Sequence, residues 1–215
     1  MKKKDAETIE LFRVALTNAE LQPGIAKVLA ENGYDSEVLN QGRQLLDETR
    51  QMFENSISKK DIRIGTHDSF TKSKRALGKV YDRDRKKARL VYRNDTGKTE
   101  LLGISKPLSM TYIKWIETVK KFYSEALADQ DMQADLARLN LTLDHINDAI
   151  VKITEVEAAR AEHMKVKGEA QDSTKATEHS IAKMKDWMKE FFGVAKLGLI
   201  DQPQLLESLG KVVKG

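Results

Sequence analysis

Apolar side chains recur every three or four residues along most of this sequence, the spacing that lines one face of an α-helix. Ile113, Ile116, Val119, Phe122 and Tyr123 predict a helix over 110–129, and a comparable pattern predicts one over 5–19. Short helices are expected near 22–31 and 132–139. Asn32-Gly33 reads as a helix stop, with Asp35 placed to cap the next helix by accepting a backbone N–H; Thr142 holds the corresponding place later in the chain. Four long stripes follow in two pairs. The first pair is Leu39, Gly42, Leu46, Phe53 and Ile57, then Leu77, Val80, Tyr81, Ala88 and Val91. The second is Ile146, Ala149, Ile150, Ile153 and Met164, then Met184, Trp187, Met188, Phe191 and Ala195. Between the members of each pair, residues 55–73 and 162–180 are rich in Lys, Ser, Thr and Asp, which predicts the solvated tips of two long hairpins. A short closing helix is expected near 99–102 and again near 204–209.

The two pairs are related by one displacement. Moving the chain by 107 positions sets Ile9 on Ile116, Ile25 on Met132, Leu29 on Leu136, Leu39 on Ile146, Leu77 on Met184, Ala88 on Ala195 and Leu102-Gly103 on Leu209-Gly210, without a gap. Repeats of this kind dictate architecture. What recurs is the apolar pattern, which a fold needs and a catalytic site does not. One amphipathic hairpin cannot bury its own stripe, so the expectation is an all-α protein with a four-helix-bundle-like core: two repeated hairpins, pseudo-twofold, in one composite domain over 1–215 with repeats 1–107 and 108–215. Two small bundles joined near Ser105-Lys106-Pro107 would have thinner cores.

Composition agrees with helices: a third of the residues are charged and only three are proline. The absence of cysteine excludes disulfides, thiol nucleophiles and Cys-ligated metal sites. Met1-Lys2-Lys3-Lys4-Asp5-Ala6-Glu7 leads into acids where a signal peptide would need an apolar stretch, and no run is long enough to span a membrane, so a soluble, cytoplasmic protein is expected. A carboxylate-bridged metal site would need Glu three residues before a histidine, but Ile64, Thr142, Arg160 and Ala176 precede His67, His145, His163 and His179. His163 and His179 could approach one another across the second tip, although a solvated helix end is the simpler reading. His145, beside Asp144 and Asp148 in a first helical turn, reads as structural. Met184, Trp187, Met188 and Trp115 read as core. No catalytic residue, metal ligand or cofactor is expected.

Charge is uneven. Residues 1–107 carry 22 Lys/Arg against 16 Asp/Glu, and the rest 15 against 17. The excess concentrates in 72–93, where ten basic residues accompany only Asp82 and Asp84 and are interleaved with Tyr81 and Tyr92. Lys72, Lys79, Arg83, Lys86, Lys87 and Arg89 are the candidate polyanion-binding residues, since such a helix can neutralise phosphates. The competing reading is a solvated helix face balanced by Asp47 and Glu48 on a partner helix. Asp84 stands apart: it occupies the stripe position that Phe191 fills in the second repeat, a candidate buried polar position paired with a neighbouring Arg.

Gly33-Tyr34-Asp35 with Leu39 and Leu45-Leu46, together with Leu205-Leu206-Glu207-Ser208-Leu209-Gly210, resembles a group of uncharacterised bacterial all-α proteins with a duplicated helical-hairpin unit. The resemblance implies a bacterial source and supports the duplication, and it transfers no activity. Two functions follow as expectations. The first is a non-enzymatic structural or protein-interaction module, docking a protein partner or a second copy through residues such as Val212 and Val213. The second is nucleic-acid or other polyanion binding through the basic helix, and an enzyme ranks last.

Overall fold

A computed structural model describes residues 3–210, and these form eight α-helices with no strand among them. In chain order they are α1 (Lys3–Leu21), α2 (Pro23–Glu31), α3 (Ser36–Val91), α4 (Thr96–Leu101), α5 (Tyr112–Ala128), α6 (Gln130–Ala137), α7 (Leu143–Gly198) and α8 (Leu205–Ser208). Val212 and Val213 lie outside the described residues. α3 and α7 are each 56 residues long, and both their first and their last residues are 107 positions apart. The residues with positive φ obey the same displacement: Gly33 with Asn140, and Gly103 with Gly210. Each ends a helix in the left-handed region, where Gly carries no Cβ penalty and Asn is tolerated. The bonds around the first pair also correspond, with Tyr34 N–H donating to the Leu29 carbonyl and Leu141 N–H to that of Leu136. Asp35 caps α3 through Oδ1, accepting from Glu37 and Val38 N–H at 3.0 Å, and Thr142 Oγ1 caps α7 from His145 N–H at 3.3 Å.

The expected hairpins do not form. Residues 55–73 run through the middle of α3, and 162–180 through the middle of α7. Polarity alone does not make a turn. These segments contain no proline, Lys, Arg, Glu and Ala favour helix, and the single glycines Gly65 and Gly168 each cost only about 1 kcal/mol in a helix interior. The long helices therefore cannot supply the two inner faces of a hairpin, and Ile57 and Met164, expected inside, are 42% and 49% exposed. Ile113, expected on a buried stripe, is also exposed. His163 and His179 do not meet across a tip, since they lie sixteen residues apart on one unbroken helix.

The described residues fall into two compact units, divided at Ile62/Arg63 and Val166/Lys167. Unit 1 holds α1, α2, the first part of α3, the last part of α7 and α8. Its core gathers Leu16, Ile25 and Leu29 with Leu39, Leu46, Met184, Met188, Phe191, Leu206 and Leu209. Trp187 and Phe191 stack at 5.6 Å, and Tyr34 closes on both rings. Gly42 lies so near Trp187 that a Cβ there would overlap the indole. Thr49 and Ser180, both buried, share a hydroxyl hydrogen bond of 2.8 Å.

Unit 2 holds the last part of α3, α4, α5, α6 and the first part of α7. Its core gathers Leu77, Tyr81, Ala88, Leu102 and Ile104 with Trp115, Val119, Phe122, Tyr123, Met132, Leu136, Ile146 and Ile153. Here Val80 and Ala149 occupy the positions that correspond to Trp187 and Gly42, so a medium-sized pair replaces a large-and-small one.

Candidate functional site

Unit 2 departs from an ordinary apolar core at one place and from an ordinary solvated surface at another. Both lie on α3.

The interior departure is Asp84. Apolar positions run along this face of α3 as Leu77, Tyr81 and Ala88, and the helical repeat carries Asp84 into the same face, where it is fully buried. Taking a carboxylate out of water costs several kcal/mol unless it is well bonded. Two donors converge on Oδ2: the Tyr123 hydroxyl of α5 at 2.7 Å, and His145 Nε2 of α7 at 2.7 Å. His145 is half-exposed, so the imidazole links the buried carboxylate to solvent. The expected partner, a neighbouring Arg, is not used. Arg85 donates to the Lys106 and Ile104 carbonyls instead. Asp84 Oδ1, the Tyr81 hydroxyl and Arg85 Nε have no hydrogen-bond partner among the described protein atoms.

Burial and the adjacent Asp84 carboxylate push the Tyr123 phenol far above its ordinary range, because an anion there would be desolvated and would face a second negative charge. Burial also raises Tyr81, to about 12, with the Arg85 and Arg89 cations opposing the rise. Tyr123 therefore acts as a hydrogen-bond donor at any ordinary pH.

The surface departure is the basic helix. Lys72, Lys79, Arg83 and Lys86 are exposed, and Arg75 and Arg93 join them. At 100° per residue Lys72, Arg75, Lys79, Arg83 and Lys86 fall within an arc of about 80°, and Arg93 follows in the turn after α3. None makes a hydrogen bond or ion pair among the described residues. The other two candidates are engaged: Lys87 donates to the Asn140 carbonyl at 3.3 Å, and Arg89 donates twice to the Ile104 carbonyl, at 2.8 and 2.5 Å. Their role is to tie the α6–α7 and α4–α5 connections to α3.

Two expectations fail at this surface. Asp47 and Glu48 belong to α3 itself, more than twenty residues upstream, and are not on a partner helix facing the stripe. Tyr81 and Tyr92, read as interleaved with the cations, are 0% and 3% exposed. The rings fall on the buried side of the helix that the cations avoid.

Elsewhere in unit 2, His163 meets His67 with ring centroids 5.0 Å apart, and Thr66 Oγ1 lies 3.3 Å from His163 Nδ1. Arg160 lies over the Tyr112 ring at 4.1 Å. Among the described residues no group of three or more His, Asp or Glu is placed to hold a metal ion, and no helix is long and apolar enough to cross a membrane.

Compared with models of protein families, with curated proteins and with solved structures, the chain has no match.

Proposed function

We propose that this protein is a non-enzymatic interaction module that docks a polyanionic partner, the phosphate backbone of a nucleic acid, through the exposed stripe of α3. One observation carries the reading. Lys72, Arg75, Lys79, Arg83 and Lys86 share one face of a rigid helix, Arg93 follows in the turn after it, and no acidic side chain is paired with any of them. Five unpaired cations in a row repel one another, an arrangement relieved by an anionic partner and by the counterions it releases. The fold does not require them: the positions 107 residues later are His179, Ala182, Asp186, Glu190 and Gly193 in α7 and Ile200 beyond it, none of them Lys or Arg. The reading places polyanion binding ahead of docking through Val212 and Val213.

A duplicated architecture supports it. The equal lengths of α3 and α7, the matched positive-φ residues and the matched helix stops favour two 107-residue repeats. Each compact unit then combines one repeat's opening helices with the other repeat's closing ones. In unit 2 a Cβ placed on Gly103 would stand 3.7 Å from Thr118, and in unit 1 one placed on Gly210 would stand 3.8 Å from Leu11, again 107 positions apart. On this scheme these positions are cationic in one repeat and hold two acids, Asp186 and Glu190, in the other.

The test is a fluorescence-anisotropy titration of a labelled DNA duplex with the protein and with a Lys79→Glu, Arg83→Glu, Lys86→Glu variant whose helicity is checked by circular dichroism. Saturable binding that weakens with salt and disappears in the variant is the expected result. Equal binding by the folded variant would refute the assignment.

A further inference from the structure

Resting on the polyanion reading, we infer that the partner is a double-stranded nucleic acid, held along its backbone without preference for base sequence. Three features of the α3 surface lead there.

The first is geometry. From Lys72 to Lys86 the helix advances about 21 Å at 1.5 Å per residue, a straight run that covers somewhat more than half of the roughly 34 Å turn of a duplex. The opposite side of this segment is pinned in the core through Leu77, Tyr81, Asp84 and Ala88, all buried, so the cations keep a fixed spacing. A rigid row of charges matches a rigid row of phosphates better than it matches a flexible strand, which must give up conformational freedom to align.

The second is the absence of a stacking platform. Single-strand binders place bases on exposed aromatic rings, whose stacking tolerates any base. In unit 2 every aromatic ring is committed elsewhere. Tyr81, Tyr92, Trp115, Phe122 and Tyr123 are buried, Phe70 and Tyr112 are partly buried, and Arg160 covers the Tyr112 face. An unpaired base laid on the stripe would find only charge.

The third is side-chain chemistry. Arg75 and Arg83 present the planar fork that suits phosphate oxygens. The remaining exposed positions on this face are Ala76, Asp82 and Leu90, with no Asn or Gln to read an adenine edge. The face therefore positions a backbone and carries little with which to distinguish one base pair from another.

The experiment titrates the full chain into labelled duplexes of two unrelated sequences and into single strands of the same lengths, at low salt. The inference predicts duplex binding tighter than single-strand binding by about tenfold or more, with the two duplexes bound alike and both signals removed by the Lys79→Glu, Arg83→Glu, Lys86→Glu substitutions. Single strands bound as tightly as duplexes, or one duplex strongly preferred over the other, would overturn the inference while leaving polyanion binding in place. No binding of either form at low salt would overturn the polyanion reading itself.

Discussion

Asp84 and Phe191 hold corresponding positions, one in each unit, and their surroundings differ in step. Where unit 2 has Tyr81, Tyr123 and His145, the residues 107 positions away are Met188, Leu16 and Val38. On the duplication proposed above, the fold accepts an apolar set at these positions and does not need the polar one. Replacing Tyr123 by Phe removes a hydrogen bond to a buried charge and should lower stability by about 1.5–3 kcal/mol. Replacing the whole set, Asp84→Phe with Tyr123→Leu and His145→Val, should instead leave stability unchanged or raise it by about 1–4 kcal/mol, because buried ion pairs often contribute less than well-packed apolar groups. Chemical denaturation of the two variants checks both signs. Gly42 offers a parallel case in unit 1. Gly42→Ala forces a Cβ into the Trp187 indole and should cost about 1–3 kcal/mol. Combining it with Trp187→Val, which creates the Ala and Val pair of unit 2, should show a coupling of at least about 1 kcal/mol in a double-mutant cycle. Strict additivity would mean that the two positions do not compensate one another.

At the scale of elements, most of the helical content was legible because the apolar period is a direct readout of which face must leave water. The caps at Asp35 and Thr142 and the stop at Gly33 were legible for the same local reason: each supplies a specific hydrogen bond or φ value. The joining of four predicted stripes into two 56-residue helices was not. The polar middle segments weaken the apolar pattern without introducing any turn chemistry, and a pattern that fades is easily mistaken for one that ends. Continuity predicts opposite effects for two substitutions at Gly65. A Cβ at Gly65 meets nothing within 4 Å, so Gly65→Ala should stabilise the protein by about 0.5–1 kcal/mol. Gly65→Pro should cost about 3 kcal/mol or more, since it removes a helical N–H and clashes with the preceding turn. A hairpin tip would tolerate the proline, so a harmless Gly65→Pro in thermal denaturation would contradict the unbroken helix.

For the molecule as a whole, the site was half visible in advance. Asp84 declared itself as a charge on an apolar stripe, and the cations as a local excess. Tyr123 and His145 did not, because a donor's partner on another helix leaves no trace in the local pattern. Nor did the withdrawal of Lys87 and Arg89 into backbone contacts, which depends on where the connections run. Burial predicts one global response. All five tyrosines are shifted upward, chiefly by desolvation, Tyr34 and Tyr81 to about 12. Groups raised on folding contribute stability that is complete below their unfolded value near 10 and is lost as pH climbs through the folded values. Unfolding should therefore begin above about pH 10, with tyrosinate absorbance appearing together with the loss of helical signal. Independent titration of the phenols in a protein that stays folded would show that they are accessible.

The measurement closest to the central claim is the salt dependence of duplex binding. If four or five cations of the α3 stripe each neutralise one phosphate, log Kobs should fall against log salt with a slope of about −3.6 to −4.5, and replacing any one of Lys79, Arg83 or Lys86 by Gln should make the slope shallower by about 0.9. A slope near zero, or one untouched by these substitutions, would mean that the stripe is only a solvated face and that the partner docks elsewhere.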